Sequence, residues 1–205
     1  SARATPDATR WLALIAAPGS DAGPAGLPYP FFLAHALAAP PETLGPRDGW
    51  QIEWKYDGAR AQIVKRQGQV WIWSRGEELI TESFPEVAAA AQALDDGTVL
   101  DGELLVWRPG QALPAGFAPL QQRLQRKQPG KKLLADAPVR FVAYDLLEVQ
   151  GQDLRERALH ERRALLQALA LPSVGHTLAL SPLVPASDWA QAAESRQGSR
   201  ERGVE

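Results

Sequence analysis

Glu53-Trp54-Lys55-Tyr56-Asp57-Gly58-Ala59-Arg60 is the stretch from which the rest of this chain can be read. Its first part alternates: Ile52, Trp54 and Tyr56 fall on one side of an extended segment, and Glu53, Lys55 and Asp57 fall on the other. That is the period of a half-buried strand. Gly58 breaks the run and lets the backbone turn closely past a ligand. Ala59 to Lys65 continues as a second strand, turns at Arg66-Gln67-Gly68-Gln69 and returns as Val70 to Arg75, an antiparallel hairpin rich in tryptophan.

Further along, Ser83-Phe84-Pro85-Glu86 has the form of a capping box that opens an alanine-rich helix, which Asp95-Asp96-Gly97 ends. Val99 to Trp107 predicts another alternating strand, with Leu100-Asp101-Gly102-Glu103 inside it. Phe117 to about Gln128 predicts a helix with Leu120 and Leu124 inward, and Val139 to Leu147 a strongly apolar strand carrying Tyr144-Asp145. Helices are also expected over Leu154 to Leu169 and Ser187 to about Arg196. On the other side of the opening stretch, Thr5-Pro6-Asp7 predicts a short helix over Trp11, Leu12, Leu14 and Ile15, and the Pro- and Gly-rich run from Pro18 to Pro30 a linker. Hairpins and strands interleaved with surface helices make an α+β fold, antiparallel sheets flanked by helices, and not a doubly wound parallel sheet.

Composition narrows the chemistry. The chain has 205 residues, 45% of them hydrophobic and 22% charged, enough for one domain with a real core. No apolar run is long enough to span a bilayer, and the expectation is a cytoplasmic protein with no membrane partner. With Cys 0 and only His35, His160 and His176, scattered, there is no disulfide, thiolate nucleophile or zinc-finger site. No G-x-x-x-x-G-K-[ST] or G-x-G-x-x-G occurs, so a bound nucleotide would be held by side chains. Net charge is -2, yet Arg123, Arg126, Lys127, Lys131 and Lys132 lie between Gln121 and Lys132 without an acid. Such a strip fits a polyanion-binding patch and equally a solvated helix face. Met 0 and a start at Ser1 point to a piece of a longer chain.

Lys55, Asp57, Gly58 and Arg60, at ~5 to 7% usage each, coincide by chance in roughly two of a thousand chains of this length. Lys55-Tyr56-Asp57-Gly58-Ala59-Arg60 resembles the K-x-D-G-x-R nucleotidyl-lysine motif of the ATP-dependent DNA ligases, relatives of the RNA ligases and mRNA capping enzymes. Ser74-Arg75-Gly76-Glu77 resembles the family's ribose-contacting segment, Leu100-Asp101-Gly102-Glu103 its acidic third motif, and Phe141-Val142-Ala143-Tyr144-Asp145 the strand whose aromatic stacks on the base. The likeness runs from about Pro28 to the end. It implies an adenylation domain over residues 28–205, incomplete at its C-terminus, behind a remnant and linker over residues 1–27. The family's fourth motif opens with glutamate; Glu205 or Glu201 would supply it, while the fifth motif and the C-terminal OB-fold domain are missing. Self-adenylation and nick sealing by this piece alone are therefore expected to be impaired.

The resemblance implies a role for each residue. Lys55 is the nucleophile, which must lose a proton because a free lysine titrates near ~10.4. Glu53 falls at the adenine edge, Arg60 and Arg75 at phosphate and ribose, Tyr144 on the base, and Glu103 with Glu205 at Mg²⁺ or Mn²⁺. ATP is the donor and nicked double-stranded DNA the acceptor, with the protein acting as a monomer in a bacterial cytoplasm. Arg123, Arg126 and Lys127 are the expected contacts to the DNA backbone. An RNA ligase, a guanylyltransferase and a non-catalytic nucleic-acid-binding module are the alternatives. Without the resemblance, Glu53, Lys55 and Asp57 are a solvated strand face, and Tyr144 is a core aromatic.

Overall fold

A computed structural model describes residues 24–169, 171, 177–199 and 202–204. The expected helix around Trp11 lies outside them, as do Glu201 and Glu205. One six-stranded sheet organises the rest, in the order β2-β1-β3-β4-β5 with β6 beside β4. The strands are β1 (Ala59–Arg66), β2 (Gln69–Ser74), β3 (Thr98–Val106), β4 (Val139–Val149), β5 (Gln152–Asp153) and β6 (Leu178–Leu180). Every pairing is antiparallel except β4 with β6, which is parallel. The β1–β2 turn places Gln67 and Gly68 at φ 51° and 73°, the left-handed pair that matches the twist of a two-residue hairpin. Among the described residues five α-helices accompany the sheet: α1 (Pro85–Ala91), α2 (Phe117–Leu124), α3 (Lys131–Asp136), α4 (Leu159–Ala168) and α5 (Trp189–Gln197).

Alternation along the strands builds two apolar layers. Ile63, Ile72, Leu100, Leu104 and Phe141 are fully buried with Phe84, Val87, Leu120 and Leu166 from the helical side. Val64, Trp71, Trp73, Val99 and Leu147 face the other way, under Leu27 and Tyr29. This places Trp71 and Trp73 in packing. Residues 24–29 are strapped across that face: Trp73 Nε1 donates to Gly26 O at 2.7 Å, Arg66 Nη1 to Ala25 O and Leu27 O, and Tyr29 N to Gln62 Oε1 at 2.8 Å. Tyr29 Oη and the Arg66 fork both donate to Glu148.

The sequence expectations need four corrections. Residues 50–57 form no strand: Glu53 and Tyr56 make isolated bridges to Leu183 and Val204, and Asp57 lies in a bend. The capping box does not close: Phe84 is the cap residue and no side chain caps the helix, because the Glu86 carboxylate is drawn away to Arg123 and to the amide of Val139. The basic strip is split, since Gln128-Pro129-Gly130 separates α2 from α3, as proline and glycine disfavour a continuous helix. The helix expected from Leu154 starts at Leu159 instead, leaving Leu154 fully buried ahead of it.

Candidate active site

The turn after Lys55 is set by glycine. A methyl group on Gly58 would lie 2.6 Å from Leu105 Cδ2 and 2.8 Å from Glu103 Cγ, and would also strike Leu104 O. Only a bare Cα lets this segment approach β3 so closely, and the approach brings the lysine-bearing segment against Glu103. Gly102 has the same origin, because a side chain there would collide with Phe141.

Register does the rest. Arg60 pairs with Glu103 and Gln62 with Asp101, so Arg60, Glu103 and Asp101 share one sheet face. Arg60 turns its fork onto Asp101, Nε to Oδ1 at 3.2 Å and Nη2 to Oδ2 at 2.9 Å, and Nη1 donates to Phe32 O. Its guanidinium stands 5.8 Å from the Phe31 ring and 5.6 Å from the Tyr144 ring. The exposed Arg75 is tied to the same place through its backbone, its N–H donating to Arg60 O at 3.1 Å.

These pieces wall a cleft of about 730 Å³. Lys55, Arg60, Arg75, Glu103 and Tyr144 all line it, above apolar Ile80, Phe117 and Leu124. The fold thus gathers five of the six residues expected at the nucleotide. Glu53 stands outside this lining, half-buried and 3.1 Å from Arg163 Nη1. Burial pushes its carboxyl upward, against the pull of Arg163.

The electrostatics favour an added cation. Burial, reinforced by Asp101, pushes Glu103 up to about 7, although Arg60, Lys55 and a hydrogen bond from the Gly58 backbone oppose the shift. Burial also raises Asp101 against the opposing Arg60 fork, while the same pair more than offsets the burial of Arg60 and holds its guanidinium charged. The Tyr144 hydroxyl is pushed well above the ordinary phenol range by burial and then by Asp101. Among the described residues no three acidic, histidine or cysteine side chains converge on a metal position. Mg²⁺ keeps several waters and binds one or two carboxylates together with phosphate oxygens. Glu103, disfavoured as a lone anion beside Asp101, fits as the protein's ligand.

Of the expected DNA-facing residues, Arg123 is corrected outright. It is fully buried, forked onto Glu86 at 2.7 and 2.8 Å, with further bonds to Ser83 O and Ala137 O at 2.8 Å. A helical position facing inward has to pair its charge, and Arg123 joins α2 to the start of α1 and of β4. Arg126 and Lys127 are exposed beyond the end of α2. Two residues at the site escaped the sequence reading. Asp101 could have been found by its i, i+2 spacing to Glu103. Phe31 carries no local signal, because only the strap brings it to Arg60.

The profile of the ATP dependent DNA ligase domain matches residues 31–205. A protein of Opitutus terrae named "Probable DNA ligase" is 50% identical over 119 residues, covering 58% of this chain and 12% of that protein. Another, from Koribacter versatilis, is 40% identical over 142 residues, covering 69% of this chain and 24% of that protein. A solved structure described as mycobacterial DNA ligase D complexed with ATP and MES shares 34% identity at a TM-score of 0.59, over 76% of this chain and 46% of that one. This chain therefore spans a quarter or less of those curated relatives and under half of the solved one. Where the lysine motif, its acidic partner on β3 and the aromatic on β4 meet in one cleft, and the profile runs over most of the sequence, the chain belongs to the ATP-dependent DNA ligase domain family.

Proposed function

We propose that this chain, over residues 28–205, is the nucleotidyl-transferring part of an ATP-dependent DNA ligase, with Lys55 as the carrier of AMP. Lys55 Nζ, having lost a proton, attacks the α-phosphorus of ATP; a P–N bond forms, the bond to the bridging α,β-oxygen breaks, and pyrophosphate leaves. The observation that carries this reading is the convergence of Lys55, Arg60, Arg75, Glu103 and Tyr144 on one cleft of about 730 Å³. Arg75, exposed at the rim, reaches the ribose and phosphates, and Tyr144 offers its ring to the base. Arg60, aimed by Asp101, presents its remaining N–H groups to phosphate oxygens. A divalent cation, Mg²⁺ or Mn²⁺, held by Glu103 would neutralise charge on the phosphates.

AMP then passes to the 5′-phosphate at a nick in double-stranded DNA, and the adjacent 3′-hydroxyl displaces it. The names of the relatives support DNA over RNA as the acceptor, and the ATP in the mycobacterial structure supports ATP as the donor. The test is covalent labelling with α-labelled ATP, followed by intact mass. A gain of one AMP on the protein and none on Lys55→Ala is expected. Undiminished labelling of Lys55→Ala would remove the carrier assignment.

A further inference from the structure

The sheet face that carries Glu103 continues past the cleft. Glu103 pairs with Val142 and Leu105 with Arg140, so Arg140 is the next β4 side chain on that face. Its guanidinium stands 4.4 Å from the Trp107 ring centroid. Trp107 in turn packs on Tyr56, the neighbour of Lys55, with ring centroids 6.3 Å apart. This stack leads from the lysine segment to a second cleft of about 460 Å³, walled by Trp107, Arg108, Arg140 and the apolar Leu134 and Pro138.

The cleft holds cationic groups without acidic partners. Arg140 Nε is buried with no hydrogen-bond partner, and burial pushes the Arg140 guanidinium below its ordinary range. Among the described residues no carboxylate pairs with Arg140 or Arg108. Arg108 Nε donates only to the backbone oxygen of Asp136, at 3.3 Å. Glu86, the acid in the wall, is already engaged by the Arg123 fork. A buried donor left without a partner requires an explanation, and two guanidinium groups with no carboxylate paired to them, Arg140 over the Trp107 ring and Arg108 beside it in the wall, suit an oxyanion that accepts a planar fork. Lys131 and Lys132 lie exposed on α3, the helix that supplies Leu134, and extend the positive surface outward.

We infer that this second cleft binds a backbone phosphodiester of the polynucleotide through Arg140 and Arg108, apart from the phosphate acted on at Lys55. The inference rests on the ligase reading above. A strand lying across Lys55 reaches this cleft along the Tyr56–Trp107 stack, which favours a polynucleotide over an acidic peptide.

The experiment titrates a fluorescein-labelled duplex with a 5′-phosphorylated nick at several salt concentrations, with AMP labelling read in parallel. Arg140→Gln and Arg108→Gln are each expected to weaken binding several-fold at low salt and to reduce the salt slope by about one. Arg140→Lys, which keeps the charge and loses the fork, falls between. Arg108 is exposed, so its variant reports on binding even if the one at Arg140 folds poorly. Unchanged affinity and slope in both glutamine variants overturns the inference. So does a wild-type protein that fails to hold the duplex at low salt, or a polyglutamate chain that competes as well as unlabelled duplex. A loss of AMP labelling matching the loss of binding would make Arg140 a support for the lysine segment, which also overturns it. Should Lys55→Ala take AMP as readily as the wild type while duplex binding still responds to both arginines, the ligase reading fails and the phosphate site stands.

Discussion

Arg60 and Asp101, on adjacent antiparallel strands, meet fork to carboxylate at 3.2 and 2.9 Å, and this pair aims the only arginine held between Phe31 and Tyr144 among the described residues. Asp101→Asn replaces one acceptor with a donor that faces the guanidinium. It is expected to cost about 2 kcal/mol of stability and to slow AMP labelling at sub-saturating ATP. Urea denaturation and a labelling time course check both, and a variant with wild-type values in each would separate the pair from the site.

Glu103 makes stability depend on pH. Its carboxyl is raised from 4.5 to about 7 in the folded protein, so between those values the native state binds more protons than the unfolded chain. The stabilisation linked to Glu103 is complete below about 4.5, falls as pH rises and is lost above about 7. In EDTA, Glu103→Gln is expected to flatten that part of the stability profile and to be the more stable protein at pH values above it; with Mg²⁺ present it is expected to lose AMP labelling. Denaturation midpoints across the acid-to-neutral range provide the check, and parallel profiles for the two proteins would contradict it.

Gly58 is constrained by space. Gly58→Ala puts a methyl group 2.6 Å from Leu105 Cδ2 and against a backbone oxygen that cannot retreat, an overpacking worth about 1 to 3 kcal/mol. Gly49→Ala, where nothing lies within 4 Å, is expected to stay within about 0.5 kcal/mol of wild type. Thermal melts of the two variants side by side test the difference, and equal midpoints would refute the close-approach argument.

Arg123 should behave as a core residue. Arg123→Gln leaves Glu86 without its fork and two carbonyl groups short of a donor, at a cost of about 3 kcal/mol. Its effect on nick affinity, measured where the variant is fully folded, should be small. Arg126→Gln with Lys127→Gln, on exposed positions, is expected to leave stability unchanged and lower the salt slope of DNA binding. Intact stability in Arg123→Gln would return that residue to the surface.

Much of the fold could be read locally. The β1–β2 hairpin followed from its alternation and its Gln67-Gly68 turn, and β3 and β4 from their apolar periodicity. β6 was missed because three residues pairing in parallel with a strand more than 30 positions earlier leave no short-range pattern. The capping box failed for a related reason: Ser83 and Glu86 have the right spacing, but a buried arginine 37 residues away binds the glutamate. The same arginine was misplaced on the surface, because a charge run does not reveal which of its members turns inward.

The sequence by itself determined the chemical parts of the site: a lysine followed by a glycine and an arginine, an acid two residues beyond an aspartate, and an aromatic on an apolar strand. Each is a local pattern, and local sterics and alternation suffice to place it on a strand or a turn. Only the tertiary structure decided that Arg60 is held by Asp101, that Phe31 follows a strap crossing the sheet face that carries Arg60, that Glu53 stands outside the cleft lining, and that Arg123 is core while Arg140 faces a second cleft with no carboxylate paired to it. Those outcomes depend on strand register and burial, and both are properties of the folded chain as a whole, since a carboxylate or guanidinium takes its partner and its charge state from whatever the fold brings beside it.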